Sequence, residues 1–211
     1  SKINPRLIYA TMNGYGSAGP DREERGYDYA AGWARSGMMY LIGEPGGVPV
    51  SQRAGMMDNV TGTHVATGIL AALLHRERTG KGQELETSLY HCGVWTLSVD
   101  IQTALGGQVP VKRSRTTAQN PIFNSYKTKD DRWVWLAMLS PDPSWPGFCR
   151  AIGKPELEKD PRFDSMDNRS QNCEELITII DNVLATKTLA EWEVIFRKHI
   201  VIYGRVHSPV E

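Results

Sequence analysis

Asp58 is the residue of this chain whose type and position best suit chemistry. It lies in the segment Gly55–Gly62, just before the most clearly predicted helix. A carboxylate there commonly acts as the helix N-cap, accepting hydrogen bonds from free backbone N–H groups. The same groups keep a carboxylate ionised at neutral pH, and one that they do not saturate can attack an acyl carbon. The local sequence leaves both roles open, and the cap is the more common of the two.

A second candidate is the step Gly26-Tyr27-Asp28, where an aromatic residue and an acid leave a loop rich in glycine and charge. A turn followed by a helix start would explain this pattern without any ligand. These residues are therefore candidates for binding, beside the simpler structural interpretation.

The stretch Gly14–Gly19 matches the G-x-G-x-x-G pattern of dinucleotide-binding loops. In such loops a helix opens within the glycines, so that the pyrophosphate meets the helix N-terminus. Here Pro20 and the charged run 21–25 follow, without helical periodicity. The sequence therefore disfavours nicotinamide or flavin binding. It predicts a flexible loop in which Gly14 and Gly16 let a ligand approach the backbone amides.

The other reactive residue types form no recognised constellation in the sequence. The five histidines lack metal-ligand spacing, and the three cysteines are far apart with no C-x-x-C pair. His64 could serve as a base near Asp58, but a packed or solvated role is favoured for a single histidine. We therefore expect no metal site, no disulfide framework and a reducing, cytoplasmic location.

The net charge and the hydropathy of the chain limit the classes of partner that it is expected to bind. The 24 basic and 24 acidic residues give a formal net charge of zero, so no overall field favours nucleic acid or an anionic membrane. The apolar runs are far shorter than the ~20 residues of a membrane-spanning helix. We expect neither nucleic acid nor a membrane as a partner.

The first half of the chain is predicted to form an α/β layer around these candidates. Helix 63–76 has the clearest signal, because its apolar residues recur at helical spacing and Gly80 follows it. Alternation of strands and helices at this spacing favours parallel strand pairing. The other predicted elements are strands over 7–12 and 84–89 and helices over 27–42 and 90–105.

The second half is predicted to be a smaller α+β unit. Residues 106–125 lack periodicity and are predicted to be a linker. Two strands, Tyr126–Thr128 and Trp133–Met138, are followed by helices near 142–152, 172–186 and 189–199, the last opening on a Thr188–Glu191 capping box. We therefore expect a partial large α/β domain over 1–105 and a small α+β domain over 126–211.

A series of short motifs, taken in order, resembles the class III CoA-transferase family, which includes carnitine and formyl-CoA transferases and α-methylacyl-CoA racemases. Each motif alone is weak, but their order and spacing over nearly the whole chain are specific. The matching stretches are Asn4–Tyr9, Gly14–Pro20, Gly26–Asp28, Asp58 with Thr61–Gly62, Gly68–Arg76, Thr79–Gln83, Asn120–Pro121, Tyr126–Asp130 and Asp160–Phe163.

The resemblance implies a mechanism and a site. Asp58 matches the family's nucleophile, which attacks an acyl-CoA thioester and passes through a mixed anhydride to an aspartyl-CoA thioester. Arg25, Gly26, Tyr27 and Asp28 match the stretch that lines the thiol arm of CoA. The resemblance thus implies coenzyme A as a cosubstrate, a carboxylic acid as acceptor, a Rossmann-like large domain and no tightly bound cofactor.

The resemblance leaves two alternatives open. In the racemase branch a histidine acts as acid/base partner at the position of Tyr27, so its absence here favours the transferase over a 2-methylacyl-CoA racemase or epimerase. Family members also begin earlier, with half of a Rossmann-like domain that holds much of the CoA nucleotide. The chain could therefore be a catalytically incomplete fragment. The family's interlocked architecture implies a homodimer.

Overall fold

The computed structural model describes residues 3–211 and divides into two compact units between Lys112 and Arg113. This division falls inside the segment 106–125 that lacks periodicity in the sequence. Both units combine helices with short strands, which confirms the predicted α/β class.

Unit 1, which ends at Lys112, contains a two-stranded parallel sheet. Strand β1 (Tyr9–Asn13) pairs with β2 (Glu84–Ser88), from Tyr9 opposite Glu84 to Asn13 opposite Ser88. The parallel pairing predicted from the sequence is confirmed. Parallel strands place their carboxyl ends at one edge, so Asn13 and Ser88 end side by side.

The helices of unit 1 differ from the predicted ones at their ends. The predicted helix 27–42 is two elements, a π-helix over Asp28–Ala34 and α1 over Met38–Leu41, because Gly37 adopts a left-handed φ of 102° between them. Helix α2 (Met56–Thr79) begins earlier than predicted and ends at Gly80 as expected. The predicted helix 90–105 comprises α3 (Leu89–Thr96) and α4 (Ser98–Leu105).

The core of unit 1 lies where the π-helix meets α2 and α3. It is a small cluster, formed by Ala31, Trp33, Met38, Met57, Leu89 and Cys92. The apolar face predicted for α2 is only partly used, because Leu70 and Leu74 are 66% and 53% exposed. Packing in this unit is therefore concentrated at the start of α2.

Unit 2 packs helices on a three-stranded antiparallel sheet. Its strands β3 (Ser125–Lys127), β4 (Trp133–Leu136) and β5 (Tyr203–Arg205) lie in that spatial order. The helices are α5 (Pro141–Ala151), a 3-10 helix (Pro155–Lys159), α6 (Met166–Gln171), α7 (Cys173–Leu184) and α8 (Leu189–Lys198). The predicted capping box of α8 is confirmed, whereas β5 and α6 were not predicted.

Among the described residues, no helix is long and apolar enough to cross a membrane. Within residues 3–211, no group of three or more His, Cys, Asp or Glu side chains is arranged to hold a metal ion.

Candidate active site

Asp58 lies inside the first turn of α2 and does not cap it. The N-cap is Gly55, in a left-handed conformation with φ 76°, so Asp58 is the third residue of the helix. The interpretation of Asp58 as the N-cap is therefore wrong. Its side chain is exposed, and within residues 3–211 no hydrogen bond or ion pair engages its carboxylate. A carboxylate in this state is available to act as a nucleophile.

The cap of α2 comes instead from Asp28, 27 residues earlier than Gly55. The Asp28 side chain is buried, with 5% of its surface exposed. Its Oδ2 accepts a hydrogen bond from the backbone N–H of Gly55 at 2.7 Å, and its Oδ1 accepts one from Met57 at 2.9 Å. Asp28 was predicted from resemblance to line the CoA thiol arm, and both of its carboxylate oxygens hold the start of α2.

A close approach of backbones fixes the same turn from the other side. A Cβ atom on Gly32 of the π-helix would lie 2.6 Å from the Cβ of Met57. One turn along α2, the hydroxyl of buried Thr61 donates a hydrogen bond to the carbonyl of Met57 at 2.7 Å. Because Met57 precedes Asp58, the π-helix sets the backbone that carries the free carboxylate.

The glycine loop is tied to the carboxyl ends of the parallel strands. The Oδ1 of Asn13 accepts a hydrogen bond from the Gly16 N–H at 2.5 Å, and Asn13 Nδ2 donates to Glu86 Oε1 at 3.2 Å. The Ser17 hydroxyl donates to Glu86 Oε2 at 2.5 Å. The pKa of the Glu86 carboxylate is below its ordinary value, mainly because of the hydrogen bond from Ser17. Desolvation acts in the opposite direction and has the smaller effect. Gly16 has φ 98°, a conformation that favours glycine.

The rest of the loop packs against the second candidate segment. A Cβ atom on Gly14 would lie 3.1 Å from the Cα of Gly26, and one on Gly26 would lie 2.7 Å from the ring of Tyr15. The structure therefore brings Gly14 and Gly26 into contact. Asp28 follows Gly26 closely in sequence, and its hydrogen bonds to Gly55 and Met57 connect this region to the start of α2. From Gly14 to Tyr27 the chain is irregular, as expected for a loop that is not a dinucleotide fingerprint.

Arg25 and Tyr27 are exposed beside this loop. The ring of Tyr27 is 83% exposed. In the part of the chain that the structure describes, the Arg25 guanidinium has no hydrogen bond or ion pair. Both side chains are free to contact a ligand, and their assignment to CoA stays a prediction.

His64 has the packed role that was favoured for it. Its Nδ1 lies 2.8 Å from the Val60 carbonyl oxygen, one turn earlier in α2. Its ring meets Trp95 edge-on, with 4.7 Å between ring centroids. These two contacts account for His64 as a structural residue.

Sequence reasoning missed Gly32, Asn13 and Glu86 as residues that hold the site. A single glycine inside a predicted helix was a usable signal for Gly32, because such a glycine costs helix stability unless close packing requires it. Nothing local marked Glu86, whose partners lie 69 and 73 residues away along the chain.

Known proteins place this site in a family. Residues 1–211 match the family model described as CoA-transferase family III. The chain belongs to that family. This confirms the family resemblance that the ordered motifs indicated.

Relatives of known activity match at about one third identity. The chain is 33% identical over 206 residues to (R)-2-hydroxy-4-methylpentanoate CoA-transferase of Clostridioides difficile, a match that covers 97% of this chain and 51% of that protein. It is 35% identical over 198 residues to cinnamoyl-CoA:phenyllactate CoA-transferase of Clostridium sporogenes, with 92% and 48% covered. This chain from family III therefore spans about half the length of these curated relatives.

Two solved structures share the fold of this chain. A CaiB/BaiF family protein from Brucella suis superimposes with a TM-score of 0.84 at 26% identity, over 99% of this chain and 55% of that one. Rv3272 from Mycobacterium tuberculosis gives a TM-score of 0.84 at 28% identity, over 99% and 54%.

Proposed function

We propose that this chain carries the nucleophile and part of the CoA site of an acyl-CoA:carboxylate CoA-transferase. Asp58 is the nucleophile, and Arg25, Gly26 and Tyr27 border the thiol arm of CoA. Family membership supports the transfer of CoA as the reaction. The free Asp58 carboxylate in the first turn of α2 supports the covalent route, and it is the single observation that carries the proposal.

The first half-reaction charges Asp58. A carboxylate oxygen of Asp58 attacks the acyl carbon of the donor thioester, the new C–O bond forms, and the C–S bond breaks to release CoA thiolate. The thiolate then attacks the Asp58 carbonyl carbon of the mixed anhydride. An aspartyl-CoA thioester forms and the donor acid leaves as a carboxylate.

The second half-reaction runs the same steps in reverse with the acceptor. The acceptor carboxylate attacks the aspartyl carbonyl carbon, releases CoA thiolate and forms a second anhydride. The thiolate attacks the acceptor acyl carbon, giving the new acyl-CoA and restoring Asp58. No net proton is taken up or released. Backbone N–H groups of the glycine loop supply the donors that the developing oxyanions need. The Gly16 N–H is not among them, because it donates to Asn13 Oδ1.

The proposal is tested by CoA transfer in the intact protein. Acetyl-CoA, succinyl-CoA and cinnamoyl-CoA serve as donors, because relatives are named for them, and a panel of isotopically labelled carboxylic acids serves as acceptors. We expect transfer that Asp58→Asn reduces by at least about 10³-fold, the scale for loss of a covalent nucleophile. Asp131→Asn, which changes an exposed acid of unit 2, is the matched control and should retain the wild-type rate.

A further reaction in deuterated water, with a 2-methylacyl-CoA as donor and the same labelled acids as acceptors, distinguishes the alternative chemistry. A racemase or epimerase would exchange the α-proton of the 2-methylacyl-CoA and would convert none of the labelled acids into acyl-CoA. Transfer that survives Asp58→Asn would reject Asp58 as nucleophile.

We further propose a homodimeric cytoplasmic enzyme that uses CoA only as a cosubstrate.

A further inference from the structure

We infer that Asp28 is the positioning residue that keeps the Asp58 carboxylate free, and that its side chain is not a CoA contact. This inference rests on the proposed function, because it assigns a task within the same site. The observations behind it are the burial of Asp28, its two backbone hydrogen bonds, and the place of Asp58 in the first turn of α2.

The first step concerns the free N–H groups at the start of α2. Every α-helix begins with backbone N–H groups that lack intrahelical partners. A carboxylate three residues after the N-cap can reach back to the N–H of the N-cap residue, as in the capping box. Asp58 stands at that position relative to Gly55. Its carboxylate would therefore be drawn into a structural bond if the Gly55 N–H were unoccupied.

The second step is that Asp28 occupies this donor. Its Oδ2 accepts the Gly55 N–H at 2.7 Å and its Oδ1 accepts the Met57 N–H at 2.9 Å. Asp28 also places a negative charge at the positive end of the α2 dipole, where a carboxylate is stabilised. The capping role is thus already filled, and Asp58 stays exposed with no partner among residues 3–211.

The third step is that Asp28 cannot easily do anything else. The side chain is 5% exposed, and both oxygens point to backbone donors of the Gly55–Met57 turn. The adjacent Tyr27 is 83% exposed, so Tyr27 and Asp28 have different roles. Tyr27 faces solvent and is available to a ligand, whereas Asp28 fixes the helix that carries the nucleophile.

The experiment uses the intact protein and two separate readouts. The first is the rate at which saturating acyl-CoA forms a hydroxylamine-sensitive adduct on the Asp58 peptide, measured by rapid quench and mass spectrometry. The second is the dissociation constant of CoA, measured by isothermal titration. A positioning role affects the first readout, whereas a ligand contact affects the second.

Asp28→Asn retains the shape of the side chain but turns an N–H donor toward a backbone N–H. We expect adduct formation to slow by about 10- to 100-fold, the scale for a small misplacement of a reacting group, with CoA affinity within about twofold of wild type. Asp28→Glu keeps the charge and should recover part of the rate, which also covers the case that Asp28→Asn does not fold. Asp21→Asn is the control, because Asp21 is another acid of this segment whose carboxylate accepts hydrogen bonds, from Arg35.

The outcomes separate this inference from the function on which it rests. An unchanged adduct rate in Asp28→Asn, or a weakened CoA affinity with an unchanged rate at saturation, would overturn the positioning role alone. A recovered rate in Asp28→Glu together with a slow Asp28→Asn supports it. Absence of any Asp58 adduct in the wild-type protein would reject the proposed mechanism and this inference with it.

Discussion

The two units differ in the size of their apolar cores and in their content of glycine and buried polar side chains. Among the described residues, unit 2 buries a core of 20 apolar side chains, whereas the main cluster of unit 1 has six. Unit 1 holds 17 of the 20 glycines, and its buried groups include the polar side chains of Asp28, Ser36, Gln52, Thr61 and Ser88. Glycine and buried polar groups cost stability unless they are needed for close approach or hydrogen bonding. The comparison indicates that unit 1 is shaped for positioning and unit 2 for packing.

The largest effect on stability is expected in the core of unit 2. Phe196 is fully buried and stacks on Trp192, with 5.6 Å between ring centroids. Phe196→Ala should lower the free energy of unfolding by about 3–5 kcal/mol, since it removes transfer energy and leaves a cavity. Denaturant unfolding of the intact protein measures this change.

Val194 provides the control for Phe196 in the same helix. It is 67% exposed, so Val194→Ala should change the free energy of unfolding by less than about 0.5 kcal/mol. Similar losses in the two variants would contradict the packing role of unit 2.

A smaller effect, of a different kind, is expected where the π-helix meets α2. The new methyl group in Gly32→Ala would lie 2.6 Å from Met57 Cβ, so the first turn of α2 must shift. Overpacking of this kind costs about 1–3 kcal/mol, and we expect slower adduct formation on Asp58 as well. Unfolding and rapid-quench measurements test the two effects.

Gly62 is the matched control for stability, because a Cβ atom there meets nothing within 4 Å. Gly62→Ala should stabilise the protein by up to about 1 kcal/mol, the difference in helix propensity. If Gly32→Ala were equally harmless, the close approach would not fix the position of α2.

The smallest effect is a pH dependence of the glycine loop. The pKa of Glu86 is lowered in the folded protein, first by the hydrogen bond from Ser17. Its stabilising contribution is therefore present above the ordinary pKa of a glutamate and is lost as pH falls through the lowered folded-state value. Melting temperature should fall more steeply with acidification in wild type than in Glu86→Gln.

Glu84 offers the comparison for Glu86 on the same strand, where it is also exposed. Glu84→Gln should keep the wild-type pH slope. Equal slopes in wild type and Glu86→Gln would show that the Ser17–Glu86 contact does not hold the loop in solution.

The sequence predicted the features that depend on neighbouring residues. The parallel strands, the clear signal of α2, its end at Gly80 and the capping box of α8 all follow from local periodicity and end signals. Strand β5 was missed because its three residues are defined by pairing with β4, some 70 residues away in the register Val134 to Arg205. Short strands of this kind carry no periodicity of their own.

The sequence predicted which residues belong to the candidate site better than it predicted how they are arranged. Motif order selected Asp58 and the segment 25–28. The separate roles of Asp28 and Asp58 depend on a tertiary contact. The carboxylate that caps α2 belongs to Asp28, which is distant in sequence from the start of the helix. Local reasoning assigned the cap to the nearest acid, Asp58, and the structure corrects it.

The most direct test of the central claim is the mass of the Asp58 peptide. The intact protein is incubated with saturating acyl-CoA, quenched in acid and digested, with and without hydroxylamine treatment. We predict a CoA-bearing or acylated Asp58 peptide that hydroxylamine converts to the hydroxamate, and that is lost in Asp58→Asn. An unmodified Asp58 peptide during productive CoA transfer, or an adduct on another residue, would contradict the account.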